Sequence, residues 1–160
     1  MQAKQTTIYI GSDHAGYEMK EALKKYIGEK ADFKAVDLGA FSQDSLDYPD
    51  IAREVCEKIV DEKGSLGILI CGTGIGMMMS ANKREGIRAA VCTVELMAKM
   101  ARLHNDANVL CLGSRIIGMD LAKNIVDTFL TTPFENEERH VRRIAKMEPN
   151  AKPANPEESC

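Results

Sequence analysis

The run Cys71-Gly72-Thr73-Gly74-Ile75-Gly76 places a thiol at the head of a turn with three glycines at alternate positions. Such spacing lets the backbone point successive N–H groups at one spot, and ahead of a helix that spot favours an anion. The same N–H groups stabilise a thiolate, so Cys71 suits a base or a nucleophile. A cysteine that closes an apolar run equally suits inert packing, which is the expectation for Cys56, Cys92 and Cys111. Met77, Met78 and Met79 are likewise expected to fill core at the start of a helix. Dinucleotide binding competes for the turn, because Glu95 lies 19 residues beyond Gly76, near the spacing of a ribose-binding acid. That chemistry uses G-x-G-x-x-G after the first strand, whereas this turn reads G-x-G-x-G after the third.

Other polar groups admit two readings each. Asp13-His14, followed by Ala15-Gly16, offers acid-base chemistry or a carboxylate that caps the first helix. Asp47-Tyr48-Pro49-Asp50 is a substrate contact or a proline-opened helix start. His104-Asn105-Asp106 closes a helix, where an imidazole either matches the helix dipole or joins a site. In the basic cluster Arg139-His140-Val141-Arg142-Arg143, Arg139 and Arg143 share a helical face and suit a phosphate dianion, or else are balanced in solvent by Glu135, Glu137 and Glu138. Arg115 adds a further cation after the fifth strand. Cys71, His104 and Asp13 together also fit a hydrolase, if the thiolate attacks an acyl carbon.

The elements that must position these groups follow from periodicity. Residues 7–11 read as a β-branched strand, and 17–27 as a helix with Met19, Leu23, Tyr26 and Ile27 on one face. A strand over 33–38 precedes a helix opened by Pro49, with Ile51, Val55, Cys56 and Ile59 as its stripe. The apolar run 66–70 is expected of a strand covered on both faces, and a helix over 77–83 follows the glycine turn. Strands over 87–92 and 109–112, with helices over 94–103 and 119–130, complete five alternations, and a last helix covers 137–147. Regular strand-helix alternation predicts a five-stranded parallel sheet in a three-layer α/β/α sandwich of the Rossmann-like, doubly wound kind. Ligands then bind beyond the carboxyl ends of the strands, where Ser12-Asp13-His14, the 71–76 turn and the segment after Cys92 are expected.

Bulk properties narrow the classes. At 160 residues, 44% hydrophobic and 28% charged, the chain has the composition of a globular protein with a core of its own. A single domain over 1–148 is expected, followed over 149–160 by a proline-containing flexible tail. The net charge of −3 gives no global field toward nucleic acid or anionic lipid, so neither is expected as a partner and any anion needs a local cationic pocket. Five cysteines without paired zinc spacing are expected to be reduced thiols. Residues 64–82 carry no charge, but five glycines interrupt them, against a membrane span. With no secretory signal pattern at the N-terminus, a cytoplasmic location is expected.

Taken together, Gly11-Ser12-Asp13-His14-Ala15-Gly16, Asp47-Tyr48-Pro49-Asp50, the 71–76 turn, Ala81-Asn82-Lys83 and His104-Asn105-Asp106-Ala107-Asn108 resemble ribose-5-phosphate isomerase type B, from about Ile8 to Ile144. The resemblance implies a cytoplasmic aldose-ketose isomerase of the pentose phosphate pathway, without metal or cofactor. It further implies a homodimer or dimer of dimers with active sites at the subunit interface. Cys71 would then move a proton between C2 and C1 through a cis-enediolate, with Thr73 hydrogen-bonded to it and the N–H groups of Gly72, Thr73, Gly74, Ile75 and Gly76 holding the oxyanion. His104 would open the sugar ring, assisted by Asp13, and Asn105 would orient the substrate. His14, Arg115, Arg139 and Arg143 would hold the phosphate, partly across the dimer, and Tyr48 would touch substrate. One branch of the family uses a glutamate six residues after the cysteine position; in this chain that residue is Met77. The family often has glycines ahead of the arginine matched by Arg139, where this chain has Glu137-Glu138. The related galactose-6-phosphate isomerase would take hexose phosphates, and a nucleotide-binding regulatory module is the alternative from another class.

Overall fold

The computed structural model describes residues 4–148 and 150, so the expected tail lies, apart from Asn150, outside the described residues. Five parallel strands form one sheet in the order β2-β1-β3-β5-β4, the α/β architecture expected from the alternation. They are β1 (Thr6–Ser12), β2 (Phe33–Asp37), β3 (Leu66–Cys71), β4 (Ala89–Val91) and β5 (Val109–Gly113). The helices are α1 (Tyr17–Gly28), α2 (Tyr48–Asp61), α3 (Ile75–Ala81), α4 (Glu95–Asn105), α5 (Met119–Thr131) and α6 (Glu138–Met147). No helix among the described residues is long and apolar enough to cross a membrane.

Right-handed crossovers explain which helix covers which face. The steps from β1 to β2 and from β4 back to β5 run one way along the sheet, and those from β2 to β3 and from β3 to β4 run the other. Helices α1, α4 and α5 therefore share one core with Ile68, Ile70, Leu110 and Leu112, while α2 and α3 share the other with Leu69, Cys71, Val109 and Cys111. Side chains alternate across a strand, so the apolar run of β3 feeds both cores.

Two elements differ in length from their patterns. Strand β4 holds only Ala89–Val91 of the expected 87–92, because the Arg88 N–H is taken by the side-chain carbonyl of Asn108 at 2.8 Å instead of a strand partner. Helix α3 begins at Ile75 rather than Met77, as soon as Gly74 has turned the chain.

One ionic cluster ties α1 to the loops beside it. Lys20 is 0% exposed, and its ammonium lies 2.7 Å from both Asp37 Oδ2 and Glu21 Oε1. Asp37 also accepts the Gly39 N–H at 2.9 Å, and the Gly39 carbonyl accepts the Ser12 N–H at 2.6 Å. Burial pushes the Asp37 pKa up, but hydrogen bonds from Lys20, Lys24 and the Gly39 N–H overcome that and hold it below the usual carboxylate range. Hydrogen bonds from Lys20 and Lys24 likewise lower Glu21. Depressed carboxylates stabilise the fold above their unfolded-state pKa, and that stability is lost as pH falls through the folded value. Lys20→Met should therefore lower unfolding free energy at neutral pH by about 3 kcal/mol in urea titration. The gap to wild type should narrow below the carboxylate range; equal midpoints at neutral pH would refute the assignment.

Candidate active site

Cys71 ends β3 on the α2/α3 side of the sheet, 5% exposed. Its Sγ accepts the N–H of Gly74 at 3.1 Å. Gly74 adopts φ 79°, and a Cβ there would lie 3.0 Å from the carbonyl carbon of Leu112, so dihedral and space alike require glycine. Thr73 is exposed, and its Oγ1 accepts the Ile75 N–H at 3.3 Å. The sulfur thus takes a backbone N–H, not the Thr73 hydroxyl, as its hydrogen-bond donor. Three further thiols are buried among the described residues. Burial pushes Cys56 up to about 12 and Cys92 up to about 11, and it raises Cys111 well above the ordinary thiol range, which suits all three to neutral packing.

Several expected residues gather around this turn. Tyr48 opens α2 and lays its ring over α3: a Cβ on Gly76 would lie 2.7 Å from Tyr48 Cζ. Arg115 follows β5, and its N–H donates to the Gly72 carbonyl at 3.0 Å. Its guanidinium nitrogen lies 3.3 Å from where a Gly72 Cβ would be, and no carboxylate pairs with it among the described residues. Ser114 fastens three loops together, its N–H donating to the Cys71 carbonyl at 2.9 Å and its hydroxyl to the Ala15 carbonyl at 2.8 Å.

The loop after β1 completes this edge. Asp13 is buried; its N–H donates to the Ile70 carbonyl at 3.1 Å and its Oδ1 accepts the Gly16 N–H at 3.1 Å. The carboxylate therefore shapes the turn into α1, and it does so beside the end of β3. Ser12 Oγ and His14 Nδ1 are buried without a hydrogen-bond partner among the described residues. Buried polar atoms are rarely left so, and two of them at one strand edge mark a place for a polar ligand. Ser12 is expected at this edge together with Asp13 and His14, but the sequence assigns it no role of its own.

The other expected residues lie at the opposite edge. A helix that follows a parallel strand runs back along it, so α4 carries His104 and Asn105 from the carboxyl ends of the strands to their amino ends, roughly 16 Å over its length. Arg102 fixes that end, bonding the Ala107 carbonyl at 2.6 Å, Asp106 Oδ1 at 3.0 Å and the Thr132 carbonyl at 3.3 Å. Arg88, just ahead of β4, binds the carbonyls of Asn105 and Asp106 at 3.2 and 2.9 Å and Glu148 at 3.0 Å. Helix α6 packs here, with Arg139 paired to Glu137 at 2.8 Å. Arg143 lines a pocket of about 250 Å³ with His104, Asn105 and His140. His104 and His140 stack with centroids 4.5 Å apart, and Glu135 approaches both. In the sequence Glu135 and His140 look only like parts of a charged helix, because stacking across 36 residues leaves no local pattern.

One chain therefore assembles Asp13, His14, Tyr48, Cys71, Thr73 and Arg115 at one edge of the sheet, and His104, Asn105, Arg139 and Arg143 at the other. Exposed apolar side chains flank the first group, among them Ile75 and Met79 of α3, Leu96 at the start of α4, and Ile116.

Known proteins show the same fold and pattern. The ribose 5-phosphate isomerase of Thermotoga maritima is 48% identical, covers 91% of this chain and 99% of its own, and superposes with a TM-score of 0.87. The type B ribose 5-phosphate isomerase of Trypanosoma brucei is 43% identical over 90% of this chain and 97% of its own, also with a TM-score of 0.87. Ribose-5-phosphate isomerase B of Escherichia coli is 41% identical over 137 residues, 86% of this chain and 91% of its own. Residues 8–147 match the family described as Ribose/Galactose Isomerase, and with that span and those relatives the chain belongs to this family of sugar isomerases.

Proposed function

We propose that the protein interconverts ribose 5-phosphate and ribulose 5-phosphate, as a cytoplasmic enzyme, in a site completed by a second copy of the chain. The observation that carries this reading is the hydrogen-bonded sulfur of Cys71 at the head of α3, beside two buried polar atoms and the guanidinium of Arg115. The names of the relatives support the pentose substrate. The four described cysteines are all unpaired, which accords with a reducing compartment.

In this reading Cys71, as thiolate, takes the proton from C2 of the open-chain aldose. The C2–H electrons form the C1–C2 double bond, and the former aldehyde oxygen becomes an enediolate held by N–H groups of the 72–76 turn. The thiol returns the proton to C1 as the O2 proton passes to O1, leaving the ketose. Met77 of α3, where one branch of the family has its glutamate, is fully buried and offers no carboxylate, which supports Cys71 as the base. His104 of the second copy opens the furanose ring with help from Asp13, and Asn105 orients the sugar. His14 and Arg115 meet Arg139 and Arg143 of the other copy on the phosphate. The exposed Ile75, Met79, Leu96 and Ile116 supply an apolar surface for such a partner; a homodimer, alone or paired into a tetramer, satisfies the geometry.

Ribose 5-phosphate is expected to turn over at an undiminished rate in chelator, and turnover of galactose or allose 6-phosphate alone would move the substrate to the hexose branch. Cys71→Ala should abolish solvent-proton exchange at C2 while substrate still binds; exchange near the wild-type rate would remove Cys71 as base. Cys71→Ala and His104→Asn chains, each inactive alone, should regain roughly a quarter of wild-type activity when unfolded and refolded together, the statistical yield of intact sites in a two-fold dimer. No recovery would mean that both residues serve the same chain's site.

A further inference from the structure

The cluster of His104, Glu135 and His140 at the amino-terminal edge of the sheet carries chemistry that isomerisation does not require. Glu135 Oε2 lies 3.6 Å from His104 Nε2 and 3.4 Å from His140 Nε2. Ligand atoms about 2.1 Å from a tetrahedral Zn²⁺ stand about 3.4 Å from one another, so both separations are close to the edges of one coordination tetrahedron. All three ligand atoms fall within 4.8 Å of one another. His140 has only 6% of its side chain exposed, and its Nε2 is buried without a hydrogen-bond partner among the described residues. A buried nitrogen facing a carboxylate, with a second imidazole alongside, is an incomplete polar set.

We propose that His104, Glu135 and His140 form a reversible binding site for a borderline-soft divalent cation, with Zn²⁺ the best match, and that its occupation switches the enzyme off. Two imidazoles and a carboxylate suit zinc in preference to calcium or magnesium, which favour oxygen ligands. The parallel stacking of the rings, 13° between planes, shows what binding demands. The in-plane lone pairs lie in nearly parallel, separated planes, so one ring must turn for both to meet a single ion. His104 can turn, since it is the more exposed of the two, whereas His140 is held in the packing. His104 and His140 also line the pocket shared with Asn105 and Arg143, which has room for a water as fourth ligand. The charge of Arg143 in that pocket opposes the cation and keeps binding reversible. The ion acts as an inhibitor and not as a cofactor, because it claims the imidazole lone pair of His104; this consequence rests on the ring-opening role proposed above.

The test uses Co²⁺ as a spectroscopic stand-in for Zn²⁺ on full-length wild type, Glu135→Ala and His140→Ala. Wild type should develop the visible absorption of four-coordinate cobalt without a thiolate-to-cobalt charge-transfer band, and Zn²⁺ should displace it. Glu135→Ala removes only a side chain from a partly exposed loop and so tests the site even if His140→Ala folds poorly. It should weaken binding by more than the roughly 10–100-fold that loss of an outer-shell partner costs. It should also retain isomerase activity in a zinc concentration that silences wild type. No cobalt spectrum in wild type, a thiolate band, or unchanged affinity in Glu135→Ala overturns the site. A spectrum lost in Glu135→Ala with wild-type turnover indifferent to zinc upholds the cation site and overturns the switch, and with it the role of His104 in ring opening.

Discussion

In a parallel sheet every connecting helix must travel back to where the next strand begins. That requirement governs this molecule more than any single contact. It sends each strand-to-helix turn to one edge of the sheet and each helix-to-strand turn to the other. The thiol, its N–H donor, Asp13, Tyr48 and Arg115 lie on turns of the first kind. His104 and Asn105 lie on a turn of the second kind, and α6 brings its arginines to the same side. Nothing within one chain can fold the two groups together without unwinding α4. The strand order adds a detail: because β5 lies between β3 and β4, α4 returns on the α1 side and so ends far from α3.

The sequence is most legible where burial on both faces makes an unambiguous pattern. Leu66 to Ile70 reads as a central strand because every residue there is buried, and Met19, Leu23 and Ile27 of α1 and Ile51, Val55, Cys56 and Ile59 of α2 reappear among the residues of the two cores. The glycine turn is legible because a left-handed residue at Gly74 and a ring laid on Gly76 leave a signature in residue type. What escapes is whatever depends on distant pairing. Lys20 looks like one more charge on an amphipathic helix, and only Asp37 on β2 explains how an ammonium can be wholly enclosed. Glu135 and His140 pass for ordinary members of a charged helix until α4 delivers His104 beside them. Of the alternatives for Asp13 the structural one is visible: the carboxylate builds the turn into α1 through Gly16, at the edge of the sheet where β1 ends.

Much of the site is held by backbone groups rather than by side chains. Loops after β1, β3 and β5 are joined by the Asp13 N–H to Ile70, the Ser114 N–H to Cys71 and the Arg115 N–H to Gly72. Such bonds survive most substitutions, because the side chains above them can change while the carbonyls and N–H groups stay. Side-chain identity matters where space is used up, as at Gly74, or where a charge is enclosed, as at Lys20.

The buried thiols have a further meaning for how this protein meets its surroundings. Cys56, Cys92 and Cys111 sit in the same core layers as the strands, with their protons held tightly by lack of solvent. Thiolates, not thiols, are what peroxides, electrophiles and disulfides attack. Those three thiols thus remain nearly silent to such reagents, although they place sulfur in both cores.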